Sequence, residues 1–286
     1  MSTSVTRSGI EELRERIRRL EGAAARRRLV LPFGLKAIDR HLPEGGLALG
    51  ALHEVAGGGH GAIDGAAAAL FAAGIAARMR GRVLWCLTRQ DLFAPALAQA
   101  GLMPDRVIYV EAGDEKSVLI CFEEGLRHGG LGAVVAEVAR LSMTASRRLQ
   151  LAAEGSGTIG LAIRRWRRPA EAADFGLPTA SVTRWRVTVL PATPLPVPGV
   201  GRPRWQLELI RCRAGESAEF EVEACDAKGR LALPSDLVHG PAEKDIGRRR
   251  AVYPQYSHRT ALGVCPTISD CLCPMSRVST RTSQPT

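Results

Sequence analysis

The chain has 286 residues, 45% of them hydrophobic, with a formal net charge of +10 and a pI near 9.8. That length suits one good core with loose ends or two small domains, and the apolar share excludes a globally disordered chain. The basic balance favours acidic or polyanionic partners without bearing on the fold.

Lys36, Lys116, Lys228 and Lys244 are the only lysines, so nearly all the positive charge is arginine. Arginine forks onto phosphates and carboxylates, although abundant Ala, Gly and Arg together also fit a genomic base composition. The cysteines are odd in number and scattered, which suits a reducing compartment. The opening residues carry no secretory signal, and the most apolar run, around 66–77, is Ala-rich and too short for a bilayer. A cytoplasmic protein without membrane contact is expected.

In chain order, residues 1–9 are polar. Residues 10–21 place Ile10, Leu13, Ile17 and Leu20 at helical spacing, with Glu preceding Arg. A basic run, 26–28, links this helix onward. Residues 31–35 read as a turn and 38–47 as a short helix closing on a glycine-rich loop. Strands and helices then alternate. Strands are expected at 51–56, 82–87, 106–110, 133–138 and 158–163, and helices at 65–80, 91–100, 114–128 and 142–154, with Asp91 and Asp114 as N-caps. The strands are short and continuously apolar, which predicts an α/β fold with a mostly parallel sheet covered on both faces.

The pattern changes after Arg164. Residues 164–168 are a basic cluster and 169–180 a loop. Residues 181–189 alternate, with Val182, Arg184, Arg186 and Thr188 on one face and Thr183, Trp185, Val187 and Val189 on the other. Residues 191–203 hold too much proline for a regular element. Residues 204–213 and 218–224 form a hairpin around 214–217, expected to extend the sheet antiparallel at one edge. Residues 240–286 show no periodicity and read as a disordered tail. The expected organisation is 1–30, helix and basic linker; 31–239, the folded domain; and 240–286, the tail.

The strand at 51–56 runs into Gly57, Gly58, Gly59, Gly61 and Gly65 and then a long helix, the setting a phosphate-binding loop requires. Ala66 and Ala67 stand where such a loop has the Lys that charges the β/γ-phosphates and the hydroxyl that holds Mg²⁺. The glycines can cradle a phosphate on backbone N–H groups, or they form a retained structural turn. Asp64 weighs against the anion, because it places negative charge where the phosphate would sit.

Residues 31–34 (LPFG), Gly45-Gly46-Leu47, the glycine loop, RVLWCL at 82–87, RVIYV at 106–110 and AVVAEV at 133–138 follow in order. This set resembles the RecA-like core and, within it, the ImuA family of damage-inducible mutagenesis proteins, over about 31–235. The stretch LALGALHEV at 47–55 matches that family's entry into the loop. The resemblance implies a RecA-like three-layer fold with antiparallel strands at the C-terminal edge of its sheet. It implies a non-catalytic cytoplasmic accessory of SOS-induced, error-prone translesion DNA synthesis, gathered at the nucleoid when DNA is damaged. The implied partners are a catalytically inactive Y-family polymerase relative of the ImuB type and an error-prone replicative-type polymerase subunit. RecA and single-stranded DNA are further candidates. The family is also similar to the cell-division inhibitor SulA.

Compared with an active RecA-type ATPase, Lys and hydroxyl are missing at Ala66 and Ala67. The water-activating Glu after strand 82–87 gives way to Thr88-Arg89-Gln90-Asp91, and Glu137 replaces the Asp that assists Mg²⁺. The resemblance therefore implies no enzymatic activity and no cofactor, with Gly57, Gly58, Gly59, Gly61, Gly65 and Glu137 as vestiges of a nucleotide site. A divergent DNA-dependent ATPase or recombinase, and a division inhibitor acting by protein binding alone, are the alternatives.

Arg164, Arg165, Trp166, Arg167 and Arg168 join phosphate-neutralising charge to an indole that can stack on a base, and Arg184 and Arg186 share the character. By resemblance these residues face DNA or a partner. The competing reading is a solvated arginine cluster beside a core tryptophan, with Glu208 pairing one arginine. Cys265, Cys271 and Cys273 lack the spacing of a four-ligand metal site, so no metal is expected. No nucleophile motif of a hydrolase occurs.

Overall fold

The computed structural model describes residues 29–59, 61–166, 172, 175–192 and 201–234. The expected helix at 10–21, its basic linker and the tail at 240–286 lie outside the described residues.

In chain order the elements are β1 (Val30–Leu31), α1 (Lys36–Asp39), β2 (Leu47–Ala48), β3 (Leu52–Gly57), α2 (Ala62–Ala77), β4 (Val83–Leu87), α3 (Ala94–Gln99) and β5 (Val107–Glu111). They continue with α4 (Glu115–His128), β6 (Ala133–Val138), α5 (Met143–Ser156), β7 (Ile159–Arg164), β8 (Thr183–Leu190), β9 (Arg204–Cys212) and β10 (Ala218–Glu223). β1 and β2 form a small antiparallel pair. The other strands form one eight-stranded sheet in the order β10-β9-β8-β3-β7-β6-β4-β5. Neighbours from β8 to β5 run parallel, and β9 and β10 add antiparallel at one edge.

The apolar strands divide their side chains between two cores, as alternation on a pleat requires. Val135, Leu161, Trp85 and Trp185 face one layer with α2. Val134, Ala136, Val138 and Ala162 face the other with α4 and α5. Ala67, Ala68, Ala72, Ala73 and Ala76 of α2 are all buried, and their small side chains let a long helix lie close on the sheet. Asp114 and Ser142 cap α4 and α5 by accepting from Ser117 N at 3.0 Å and Ala145 N at 3.2 Å.

Three local readings are corrected. Asp91 is not a helix cap, because α3 starts after Phe93 and the Asp91 carboxylate binds Arg165 instead. The turn expected at 31–35 begins inside β1, which pairs with β2. The expected short helix at 38–47 is one turn at Lys36–Asp39 and a 3-10 turn at Pro43–Gly45. Among the described residues, no helix is long and apolar enough to cross a membrane.

Candidate functional site

Parallel strands put all their C-terminal ends on one edge, where ligands of open α/β sheets bind. Here the ends of β3, β4, β6 and β7 bring together the glycine loop, Thr88–Asp91, Ala139–Arg140 and Arg165–Trp166.

The glycine loop leaves β3 and enters α2 through Gly61, whose φ of +59° is open to glycine and strained for other residues. Its interior is taken up by the chain itself. Gly58 N donates to Val187 O of β8 at 2.9 Å, so that amide is not aimed at a ligand. The Asp64 carboxylate, fully buried in the first turn of α2, accepts from Val189 N at 2.9 Å. A Cβ placed on Gly58 would stand 2.2 Å from Thr188 Oγ1 and 2.8 Å from Asp64 Oδ2. A carboxylate thus occupies the first turn, where the helix dipole and free amides would otherwise draw an anion. Gly59 and Gly65 have open space on their side-chain positions.

Glu137, near the end of β6, is buried, and both of its oxygens are engaged. Trp85 Nε1 donates to Oε1 at 3.0 Å, and Arg165 Nη1 donates to Oε2 at 2.6 Å. The same guanidinium reaches Asp91 Oδ1 at 2.7 Å and Oδ2 at 3.1 Å. Burial pulls the Arg165 pKa down, but Glu137 and Asp91 together outweigh it and hold the pKa above its ordinary value. An arginine therefore bridges two carboxylates on the edge where an ATPase of this fold would hold a cation.

The expected basic face divides. Arg164 is the last residue of β7 and is fully buried; its Nη1 donates to Glu54 Oε2 at 3.0 Å and its Nη2 to Ala139 O at 2.8 Å. Arg184 lies opposite Glu54 in the β3–β8 register and donates to Glu54 Oε1 at 3.2 Å, Phe175 O at 2.6 Å and Leu177 O at 2.9 Å. Thr179 and Ser181 also donate to Glu54 Oε1, Ser181 at 2.5 Å. Arg164 and Arg184 are thus interior residues, and a phosphate backbone cannot reach them in this arrangement. Arg186 pairs with Glu208 at 3.0 Å, as the sequence allowed. The Trp166 indole donates to Ala139 O at 3.1 Å and meets the Phe175 ring edge-on at 5.4 Å, so it packs on protein. Arg165 is the partly exposed member of the cluster, and Arg167 and Arg168 lie outside the described residues.

The sequence reading missed Glu54 as the hub of this cluster. The available signal was a lone carboxylate inside an apolar strand, since Leu52 and Val55 flank His53-Glu54. A buried charge demands partners, and two arginines supply them. Among the described residues, no cluster of His, Cys, Asp and Glu could hold a metal ion.

A mostly parallel sheet between two helical layers, a glycine turn leading from a central strand into a long helix, and antiparallel strands at one edge define a RecA-like protein. No family model matches the chain. The ImuA proteins of two strains of Caulobacter vibrioides are each 40% identical to it over 232 residues, covering 78% of this chain and 94% of theirs. The chain belongs to the ImuA family.

Proposed function

We propose that this chain is a non-catalytic RecA-like accessory of damage-induced, error-prone translesion DNA synthesis. In that role it acts in the cytoplasm by binding an ImuB-type inactive Y-family polymerase relative and an error-prone replicative-type polymerase subunit. Membership of the ImuA family supports the process. The occupied glycine loop carries the non-catalytic part: Asp64 and Thr188 fill the space beside Gly58, and the Gly58 amide is spent on Val187. Phosphoryl transfer depends on positioned charge around the phosphates and their metal. This loop supplies a carboxylate, and Ala66 and Ala67 supply neither a cation nor a metal-binding hydroxyl.

Ultraviolet-induced mutation frequency in a clean deletion strain tests the role. The deletion is expected to abolish induced mutation, and the full chain to restore it, as does a chain ending at residue 240. Unchanged mutation in the deletion strain overturns the reading and favours division control. The purified chain is expected to show no DNA-stimulated ATP turnover. Turnover that falls on Glu137→Gln would make the protein a divergent ATPase.

A further inference from the structure

The opposite end of the sheet collects positive charge. As a crossover helix, α2 starts at the C-terminal end of β3 and runs back to the start of β4, so its own C-terminus lies on the edge away from the glycine loop. The chain leaves α2 through Arg78, Arg80 and Arg82. Arg106 crosses over and donates to Ala77 O at 2.7 Å, to Gly81 O at 2.9 Å and to Met79 O. The turn after β10 brings Lys228 and Arg230 to the same corner. There Gly229 O lies 3.4 Å from a Cβ built on Gly74 of α2, and Gly229 N lies 2.5 Å from one built on Gly101.

The nearby carboxylates offset part of this charge: against the effect of burial, Asp39 pulls the Arg78 pKa up, and Arg202 and Arg230 help to hold the Asp226 pKa down. Asp39 accepts from the Phe33 and Gly34 amides at 2.7 and 2.9 Å. Asp226 accepts from the Lys228 and Arg230 amides at 2.8 and 2.9 Å. Glu223 is matched by Arg202 at 3.1 Å. Asp105 is the exposed carboxylate that remains. Arg80, Arg82 and Lys228 are exposed, and their side chains make no ion pair or hydrogen bond among the described residues. Burial, and after it the closeness of Arg230, push the Arg78 pKa down against the pull of Asp39 and Cys225. Compensation of the helix dipole does not account for them all, because Arg106 already serves the last carbonyl of α2, at Ala77, and two carbonyls of the turn after it.

We propose that this basic corner, formed by Arg80, Arg82, Lys228 and Arg230 around the end of α2, docks the sugar-phosphate backbone of DNA. Guanidinium forks match phosphate oxygens. The four residues of the corner are all cationic, so contact is with the backbone and independent of sequence. The choice of DNA over another polyanion rests on the proposed role in translesion synthesis.

The test is equilibrium binding of the full chain to fluorescein-labelled single-stranded and duplex DNA across a salt series. In R80A/R82A/R230A, affinity at low salt is expected to fall about tenfold or more, and the slope of log K against log salt to become shallower by about 2.7 on duplex and about 2.1 on single-stranded DNA. Lys228→Glu alone is expected to weaken binding several-fold, by roughly one lost phosphate contact and added repulsion. K116A/R147A, which removes charge from α4 and α5, is expected to bind like the wild type. Equal affinity and slope in the wild type and the triple variant overturn the proposal. So does binding lost only in Arg165→Ala, at the other edge, or capture of poly-glutamate without DNA binding. Arg80, Arg82, Lys228, Arg230, Lys116 and Arg147 are exposed, and an unchanged thermal melt of their variants confirms that the fold is kept. Unchanged DNA binding in the triple variant, beside a deletion that abolishes induced mutation, refutes the corner and leaves the proposed function standing. A deletion without mutagenic phenotype does the reverse.

Discussion

Arg164 and Glu54 meet at 3.0 Å across the neighbouring strands β7 and β3, with both side chains out of solvent. Arg184 closes on the same carboxylate from β8 at 3.2 Å. Glu54 is therefore an acidic partner shared by two buried guanidinium groups. Its removal leaves uncompensated charge inside the protein, a change that typically costs about 3–5 kcal/mol. Glu54→Ala is expected to lose stability in that range by urea titration. Arg186→Ala breaks a pair with Glu208 that solvent partly reaches, and is expected to cost under about 1 kcal/mol. Equal losses in the two variants would contradict the assignment of Glu54 as the hub.

The glycines of the loop are not equivalent. A methyl on Gly58 collides with Thr188 Oγ1 at 2.2 Å and with the Asp64 carboxylate, whereas nothing lies within 4 Å of one on Gly65. Gly58→Ala is expected to destabilise by about 1–3 kcal/mol as β8 or Asp64 is displaced. Gly65→Ala lies in the first turns of α2 and is expected to gain up to about 1 kcal/mol of helix propensity. Thermal melts of the two single variants read this directly. A tolerated Gly58→Ala would show that Thr188 and Asp64 do not fill the loop.

The fold was largely legible because its signals are local. Continuous apolar strands such as AVVAEV at 133–138 and the acid or serine caps at Asp114 and Ser142 mark each unit. Val182 to Val189 alternates cleanly, and Trp185 and Val187 are buried in the core as that pattern required. What misled was proximity that only the folded sheet creates. Arg164 opens a basic run in the sequence, but it is also the last residue of β7, one strand from Glu54. Nothing in the run itself distinguishes the inward Arg164 from the outward Arg165. Asp91 looks like a cap until β7 places Arg165 beside it. The corner at the end of α2 escaped notice because Arg80 and Arg82 lie far in sequence from Lys228 and Arg230.

Arg165 serves its two carboxylates unequally. Asp91 is half exposed and Glu137 is nearly closed off. Removing the guanidinium strands one buried oxygen of Glu137, a penalty of about 1–3 kcal/mol, while water readily solvates Asp91. Arg165→Ala is thus expected to cost about 1–3 kcal/mol and Asp91→Ala under about 1 kcal/mol. Adding Glu137→Gln to Arg165→Ala is expected to recover part of the loss, since a neutral amide is cheaper to bury than a carboxylate. A double variant no more stable than Arg165→Ala would show that the arginine does not act through Glu137.

His53 gives the fold a pH dependence whose sign follows from its bonds. Its Nε2 lies 2.9 Å from Ala48 O, so the proton sits there, and Nδ1 accepts from the Thr183 hydroxyl at 2.7 Å. Trp185 Nε1 in turn donates to Thr183 Oγ1 at 2.8 Å, which leaves that hydroxyl free to donate onward. The chain of bonds needs a neutral imidazole, and burial lowers the His53 pKa from 6.5 to about 4 despite the opposing pull of the Ala48 carbonyl. Between those values the unfolded chain takes up a proton that the folded one refuses. The stabilisation is therefore complete above pH 6.5, declines as pH falls, and is exhausted below about 4, a total of about 3 kcal/mol. Carboxylates titrate in the lower part of the same window, so the informative quantity is the difference between the wild type and His53→Gln, which does not titrate. That difference, from urea titrations at successive pH values, is expected to narrow by about 3 kcal/mol from pH 7 to 4. Parallel curves would mean that His53 is protonated equally in the folded and unfolded states.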